Sequence, residues 1–224
     1  ANMSLGGAGF SQAEYDAIQG AVNAGVAFAV AAGNDDDDAN NYSPGGFDNV
    51  LSVSALADFD GIPGGLGSPT CRTDQDDTLA DFSNWGPEVD IAAPGVCILS
   101  TYPIEQGEYG TISGTSMASP HAAGALALLA SLNNPNNATD VYNLSNPMIP
   151  NANYNGTANS GVGLKDPFLD LPNAAIFNPV LVPGSGGGGT NQPPTANFSF
   201  TTSDLTATFT DISSDSDGSI LSWS

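Results

Sequence analysis

Apolar residues in the first part of the chain fall into short continuous runs separated by helical patterns. Residues 26–32 form one unbroken apolar run, which is typical of a strand buried on both faces of a parallel sheet. Residues 50–55 and 89–93 predict two further strands, and residues 118–132 predict a helix that is apolar on nearly all sides. This succession of strands and helices predicts an α/β domain with a mainly parallel sheet.

A capping box marks a helix near the start of the chain. Ser11 occupies the N-cap position and Glu14 follows three residues later, so each side chain can accept a backbone N–H of the first turn. Apolar residues then recur at helical spacing as far as Val22, and Gly25 is expected to end the helix. Residues 3–5, just upstream, predict a short strand that runs into two glycines.

Residues 178–194 separate the strand-and-helix pattern of the preceding residues from a β-rich pattern that follows. They contain four consecutive glycines between prolines, a composition that is typical of linkers. Residues 195–224 then show two alternating strands, 196–200 and 205–209, joined by a turn. We therefore predict a main domain over residues 1–177, a linker and a second, β-rich module.

The net charge of −22 follows from two basic residues against 24 acidic ones. So few cations argue against nucleic-acid binding, which needs a basic face for the phosphates, and against docking on anionic lipid. No apolar run reaches the roughly 18 residues of a membrane span, so we expect no membrane insertion. We expect the protein to be a monomer.

Two polar segments interrupt the apolar elements and are the candidates for chemistry. Gly33 and Asn34 directly follow the buried strand, at the end where α/β sheets place ligands. Ser116 lies at the start of the apolar helix, where backbone N–H groups point outward and the helix dipole favours negative charge. On these residues alone, a simple helix cap remains the alternative to a nucleophile.

The segment around Ser116, residues 114–121, resembles the catalytic-serine motif of the subtilisin-like serine proteases (subtilases, peptidase S8) nearly letter for letter. The resemblance runs from Asn2 to about Ala175. Further motifs match in the family's order at residues 2–7, 31–34, 82–86, 92–95 and 161–164. The resemblance implies a subtilisin-like three-layer α/β fold, of which this chain would hold the C-terminal part of the catalytic domain.

The resemblance implies roles for two residues in catalysis. Ser116 would be the nucleophile that attacks a peptide carbonyl and forms an acyl-enzyme. The side-chain amide of Asn34 and the backbone N–H of Ser116 would hold the developing oxyanion. Catalysis of this kind needs no cofactor.

The resemblance also implies a substrate site built from two segments. The first would pair with an extended substrate backbone by strand addition, and the second would wall the first specificity pocket. These residues are Ser4, Leu5 and Gly6 in the first segment and Ala31, Ala32 and Gly33 in the second. Small walls imply a preference for large apolar side chains at the cleaved bond, in proteins or peptides.

The family's catalytic Asp and His precede the serine in chain order, and no residue here matches either. The single histidine, His121, follows Ser116 by five residues, about 140° round a helix, so it cannot accept the serine proton. It matches the buried structural histidine of the serine motif. We therefore expect the triad Asp and His to lie upstream, and the 224-residue chain alone to be inactive. The alternative is a non-catalytic secreted binding or adhesion protein on the same scaffold.

Acidic residues suggest two places for a structural Ca²⁺ ion. Residues 35–38 are four consecutive aspartates, which form either a solvated loop or a cation-recruiting cluster. Some subtilases hold a cation with one carboxylate and two backbone carbonyls. The matching residues here are Asp90 for the carboxylate and Asp48 and Val50 for the carbonyls. For Asp90 a simple loop cap is the alternative.

Cys71 and Cys97 are the two cysteines, and their surroundings alone leave open both a disulfide and two buried thiols. In the subtilase frame, Cys71 lies in an apparent insertion, residues 58–78, and Cys97 begins the strand after an Ala-Pro-Gly segment. A disulfide would tie the insertion to the core of a secreted enzyme.

The tail carries a second resemblance. Residues 193–198 and the spaced carboxylates of residues 215–218 resemble the opening of a polycystic-kidney-disease-type (PKD) repeat, an immunoglobulin-like β-sandwich, present only in part. Such a module implies attachment to a surface or a polymeric substrate. Together these features predict a secreted serine endopeptidase, and the scarcity of lysine suggests high-salt or Ca²⁺-rich surroundings.

Overall fold

The fold is described from a computed structural model. The described residues are 1–62, 65–150 and 169, with the backbone of residues 198–203 and 206–211. The predictions on residues 161–164, 178–194 and 215–218 fall outside them. The chain divides into two compact units, Ala1–Leu181 and Val182–Ser224.

The described residues of the first unit form nine strands and three α-helices. The strands are β1 (Asn2–Met3), β2 (Gly7–Ala8), β3 (Ala29–Ala31), β4 (Tyr42–Ser43), β5 (Leu51–Ala57), β6 (Thr78–Leu79), β7 (Ile91–Pro94), β8 (Ile98–Thr101) and β9 (Tyr109–Ile112). The helices are α1 (Gln12–Asn23), α2 (Thr115–Ala130) and α3 (Ala138–Ser145).

The central sheet is parallel over four strands. β5 lies between β3 and β7, and β1 extends the sheet beyond β3. Val53 of β5 lies beside Ala31 on one side and Ile91 on the other. β6 pairs antiparallel with the end of β5. All seven residues of β5 are buried, as expected for a strand covered on both faces, so the predicted parallel sheet is confirmed.

The elements begin and end at different residues from the apolar runs that predicted them. Only Ala29–Ala31 of the run at residues 26–32 form the strand, because Gly25 adopts φ 93° and leads the chain out of α1 before it enters the sheet. The α2 helix, by contrast, is longer at its start than predicted: it begins at Thr115, before the apolar run at residues 118–132. Its first turn is polar, so the apolar pattern alone does not reveal it.

Small side chains let α2 lie close to the sheet. Ala118, Ala122 and Ala125 are buried in the main hydrophobic core, and Leu126 and Leu129 fill that core further along the helix. A second apolar cluster joins α1, α3 and the loop before β5, through Ile18, Val22, Phe47 and Val141. The close approach places the first turn of α2 beside the end of β3.

The predicted disulfide between Cys71 and Cys97 is present, with a Cα–Cα distance of 5.7 Å. It closes a sequence separation of 26 residues, for which chain entropy predicts a stabilisation of about 3 kcal/mol. Arg72, next to the bridge, bonds to Asp74 at 2.8 Å and to Asp81 at 2.5 Å. The insertion is thus fixed to the rest of the domain by a covalent bond and by the Arg72–Asp81 ion pair.

In the second unit, β10 (Phe198–Ser203) and β11 (Thr206–Asp211) pair antiparallel, with Phe200 opposite Phe209. This confirms the predicted hairpin, with β10 ending three residues and β11 two residues beyond the predicted ends. Among the described helices of the chain, none is long and apolar enough to cross a membrane.

Candidate active site

Ser116 is the second residue of α2, and the backbone anchors that end of the helix. Gly114, the N-cap residue, donates its N–H to the carbonyl of Gly95 at 2.8 Å. A Cβ atom on Gly95 would lie 2.6 Å from Cβ of Ala55 in β5, so only glycine fits there. The start of α2 is therefore fixed against the ends of β5 and β7.

Ser4 and Ser116 bond to each other twice. The Ser4 hydroxyl donates to the carbonyl of Ser116 at 2.7 Å, and the Ser116 hydroxyl donates to the carbonyl of Ser4 at 3.3 Å. The first bond is available because Pro120, four residues further along α2, has no N–H to give to that carbonyl. Ser119 adds a bond of 2.7 Å from its hydroxyl to Oδ1 of Asn2. The nucleophile candidate is thus held against the segment that follows β1.

Asn34 is oriented by Thr115, the residue before Ser116. Oδ1 of Asn34 accepts the Thr115 backbone N–H at 2.8 Å and the Thr115 hydroxyl at 3.0 Å. The same hydroxyl accepts the N–H of Gly33 at 3.2 Å. Since Oδ1 is occupied by these donors, the Nδ2 amino group of Asn34 remains as the hydrogen-bond donor that a substrate oxyanion needs.

Asn84 fixes the turn that carries Asn34. Its buried side chain donates to the carbonyl of Ala32 at 3.0 Å and accepts the N–H groups of Asp35 at 2.9 Å and Asp37 at 3.2 Å. Gly33 has φ 114° and packs so tightly on Asn84 that a Cβ atom would overlap the Asn84 amide. Neither Asn84 nor Thr115 is assigned a role by the sequence analysis, although both lie in motifs that it matched.

Ser116 and Asn34 open onto a cavity of about 540 Å³. Five of the six predicted substrate-binding residues line it, namely Leu5, Gly6, Ala31, Ala32 and Gly33. The sixth, Ser4, contacts Ser116 directly. Residues 4–6 lie between β1 and β2, and not within the strand predicted for residues 3–5. The structure therefore brings all the predicted catalytic and substrate-binding residues to one place.

Asp35 and Tyr42 also line this cavity, which the sequence analysis did not predict. The Tyr42 hydroxyl donates to Oδ2 of Asp37 at 3.3 Å. Burial raises the pKa of Tyr42, and the carboxylates of Asp35 and Asp37 raise it further. The cavity lining is therefore acidic and not only apolar.

His121 does not reach Ser116. Its Nδ1 lies 2.8 Å from the carbonyl of Met117, one helical turn away on the same helix. The hydrogen bond expected for this residue is present, but the predicted burial is wrong, since the side chain is exposed.

The family profile of the subtilases matches residues 1–165, most of the chain. The chain belongs to the subtilase family. It is similar to subtilisin-like protease 4 of Trichophyton rubrum, at 44% identity over 158 residues, and to the subtilisin-like proteinase Spm1 of Pyricularia oryzae, at 48% identity over 132 residues. Membership accounts for the subtilisin-like α/β fold and identifies serine peptidases as its homologues.

The chain corresponds to only part of these relatives. The two alignments cover 70% and 59% of this chain but 35% and 21% of the relatives' own lengths. A solved structure, that of a cold adapted subtilisin-like serine proteinase, matches with a TM-score of 0.60 at 37% identity, over 75% of this chain and 53% of that one. This subtilase chain thus spans about a third of the first relative and half of the solved structure.

Asp48, Val50 and Asp90, the residues matched to a subtilase cation site, line one small cavity of about 70 Å³. Oδ2 of Asp90 also accepts the N–H of Ser52 at 2.8 Å, which links β5 to the chain just before β7. Asn49 lines the same cavity, and its buried Oδ1 has no hydrogen-bond partner among the described residues. A carboxylate, backbone carbonyls and an unsatisfied amide oxygen are all hard oxygen donors, so these residues fit Ca²⁺.

Three other carboxylates, those of Asp58, Asp60 and Asp76, converge to within 4.8 Å of one another in the insertion. Each of the three carboxylates accepts hydrogen bonds from backbone N–H groups. Asp76 accepts those of Phe59 and Gly67, each at 2.7 Å, while Asp58 and Asp60 accept N–H groups of their own turn. We therefore interpret this cluster as the hydrogen-bonded framework of the insertion and assign no ion to it.

Proposed function

We propose that the full-length protein is a secreted serine endopeptidase that hydrolyses peptide bonds through an acyl-enzyme on Ser116. One observation carries the proposal. Ser116, at the N-terminus of α2, and Asn34, held by Thr115 with its amino group left to donate, open onto the same cavity. A nucleophile and an oxyanion donor at one cavity are what acyl transfer requires.

The proposed reaction follows from this geometry. Oγ of Ser116 attacks the substrate carbonyl carbon, and Nδ2 of Asn34 and the backbone N–H of Ser116 stabilise the oxyanion. The C–N bond then breaks, the amine leaves with a proton, and water hydrolyses the ester to regenerate the serine. Loss of the Asn34 donor is expected to lower kcat by about 10²–10³.

The base that takes the Ser116 proton is proposed to come from outside residues 1–224. His121 faces Met117 and no carboxylate bonds to Ser116 among the described residues, which supports this division. The Ser116 hydroxyl bonds instead to the Ser4 carbonyl, and we propose that a triad histidine takes over this hydroxyl in the full-length enzyme. The 224-residue chain alone is then inactive.

Labelling with a fluorophosphonate tests the proposal, because this probe reacts only with an activated serine. We expect the full-length protein to be labelled and to hydrolyse casein, and Ser116→Ala to lose both activities. The matched control, Ser131→Ala, changes an exposed serine at the C-cap of the same helix and should keep both activities. A full-length protein that is neither labelled nor active would favour the alternative, a non-catalytic binding protein on the subtilase scaffold.

We propose that a structural Ca²⁺ ion is held by Asp90 and by the backbone carbonyls of Asp48 and Val50. The unsatisfied oxygen of Asn49 in the same cavity supports this assignment. The ion would neutralise part of a chain with net charge −22 and tie β5 to the chain before β7.

The tail is proposed to be the start of a PKD-like module that attaches the enzyme to a surface or a polymeric substrate. The antiparallel pair β10–β11 is consistent with a β-sandwich module. Retention of the full-length protein on insoluble substrate polymers tests the proposal. If a variant that lacks residues 178–224 were retained on the polymers as strongly as the full-length protein, the proposal would be contradicted.

A further inference from the structure

The turn that leads from β9 into α2 is bonded to the segment just before β8. Cys97 directly precedes β8 and Ser113 directly follows β9, so the two residues face each other at the open end of this hairpin. The Ser113 hydroxyl accepts the backbone N–H of Cys97 at 2.9 Å. Beside it, the N–H of Gly114 donates to the carbonyl of Gly95 at 2.8 Å. These two bonds lie two to three residues before Ser116 in the chain.

Cys97 has a backbone conformation that cysteine does not favour by itself. Its φ is 57°, in the left-handed region where glycine is the usual residue. Other residues keep this conformation only where their surroundings enforce it, and such positions are frequent at functional sites. Two contacts of Cys97 can enforce it, since its backbone N–H is bonded to Ser113 and its sulfur to Cys71.

The insertion that carries Cys71 provides a firm support for Cys97. Cys71 donates its backbone N–H to Sγ of Cys97 at 3.2 Å, in addition to the covalent bond between the two sulfurs. Within the insertion, the buried carboxylate of Asp76 accepts the N–H groups of Phe59 and Gly67, each at 2.7 Å. The disulfide therefore joins Cys97 to a segment with its own buried hydrogen bonds, which limits how far Cys97 can move.

We propose that Ser113 and the Cys71–Cys97 disulfide are positioning elements for the Ser116 nucleophile. The disulfide keeps Cys97 in its left-handed conformation, Cys97 then directs its N–H at Ser113, and Ser113 sets the path of the chain into the first turn of α2. A nucleophile displaced by about 1 Å can lose up to about 10²-fold in rate. This inference rests on the proposed endopeptidase function and gives the disulfide a role in catalysis besides its role in stability.

Hydrolysis of a peptide nitroanilide by the full-length enzyme tests the role of Ser113. Ser113→Ala removes the acceptor for Cys97 and leaves the disulfide intact. We expect kcat to fall about tenfold and KM to change by less than about twofold, because the nucleophile is displaced while the substrate-binding residues remain. Ser113→Thr keeps the hydroxyl and should recover most of the rate. Ser100→Ala, the matched control, removes a hydroxyl from an exposed position of β8 and should leave both constants unchanged.

Removal of both cysteines tests the role of the disulfide, at a temperature well below the thermal midpoint of each variant. Cys71→Ala with Cys97→Ala should lower kcat with little change in KM. Addition of Ser113→Ala to this pair should lower kcat little further, because changes that act through one contact are not additive. Cys71→Ala with Cys97→Gly should recover part of the rate, since glycine adopts the left-handed conformation without a steric penalty.

The results separate this inference from the proposed function. If Ser113→Ala or the cysteine pair hydrolyses the peptide with the native kcat, or if their separate effects on kcat multiply in the combined variant, the positioning role is overturned and the endopeptidase function stands. If the native full-length protein neither hydrolyses the peptide nor is labelled by a fluorophosphonate at Ser116, both proposals are overturned.

Discussion

The hydroxyl of Ser4 donates a hydrogen bond to the carbonyl of Ser116, 112 residues away in sequence, where a helical N–H donor is missing. Pro120 leaves that carbonyl without its helical donor. The residue that carries the candidate nucleophile is therefore tied to the segment proposed to bind the substrate backbone. A substitution in the substrate-binding segment should therefore also affect Ser116.

Ser4→Ala should lower both stability and catalytic rate. It leaves the Ser116 carbonyl without a protein donor, which typically costs about 1 kcal/mol in the free energy of unfolding. We also expect a lower kcat, because the first turn of α2 loses an anchor. Urea denaturation and peptide hydrolysis by the full-length enzyme measure the two effects. Ser100→Ala, at an exposed position in β8, should change neither.

Thr115→Val should lower kcat about tenfold or more and leave KM nearly unchanged. The hydroxyl that orients the Asn34 amide is lost while the side-chain volume is kept, so transition-state stabilisation suffers and substrate binding does not. Thr115→Ser retains the hydroxyl and should recover most of the rate. If Thr115→Ser is as slow as Thr115→Val, the hydroxyl is not what orients Asn34.

Asn84→Ala should destabilise the protein by about 2–4 kcal/mol, because one buried carbonyl and two N–H groups lose their partner. Asn84→Asp keeps the acceptor for Asp35 and Asp37 and loses the donor to Ala32. Equilibrium unfolding in urea measures both variants. A loss below 1 kcal/mol for Asn84→Ala would show that water or neighbouring groups satisfy the turn.

Removal of Ca²⁺ should lower the thermal midpoint of the full-length protein. An ion at 100 times its Kd adds about 2.7 kcal/mol to the free energy of unfolding, and a chelator removes that amount. Asp90→Asn should abolish this response. Asp60→Asn, in the other carboxylate cluster, should leave it intact. If Ca²⁺ removal still lowered the thermal midpoint of Asp90→Asn but no longer lowered that of Asp60→Asn, the ion would lie in the insertion instead.

Stability should depend on pH through Asp58. Burial raises the pKa of this carboxyl above its ordinary value, against the opposing effect of N–H donors from Gly61 and Asp60. The contribution of Asp58 to stability is therefore fully present below about pH 3.9 and is lost as pH rises through the folded-state pKa. Asp58→Asn, measured in a chelating buffer, should stabilise the protein by a few tenths of a kcal/mol at pH 7 and have no effect near pH 3, since the group is half exposed. Asp60→Asn, which removes an exposed charge from the same turn, serves as the control. If Asp58→Asn raised the free energy of unfolding equally at pH 3 and pH 7, the assignment would be contradicted.

The sequence predicts those features that depend on local pattern or on a complete family motif. The parallel strands follow from continuous apolar runs such as residues 26–32, the cap of α1 follows from Ser11, and Ser116 and Asn34 follow from the motifs. The clamp by Asn84 spans about 50 residues and consists of hydrogen bonds that no periodicity records. The position of Asp35 in the cavity depends on how the turn closes, so composition suggested only a solvated run or an ion cluster.

The exposure of His121 shows the limit of transferring a role with a motif. The motif carries the local hydrogen bond to Met117, which needs only one helical turn. Burial depends instead on what covers that face of α2, which a short motif does not encode.

The surroundings of Arg72 have a consequence for how the insertion resists proteolysis. Exposed loops are where proteases cut most readily, because a loop can enter an active site in extended form. The Arg72 guanidinium is held by two carboxylates and lies over the Phe82 ring, one residue from the disulfide. The loop around Arg72 cannot extend into a protease active site without breaking those contacts. The contacts of Arg72 are therefore expected to protect this part of the insertion from proteolysis.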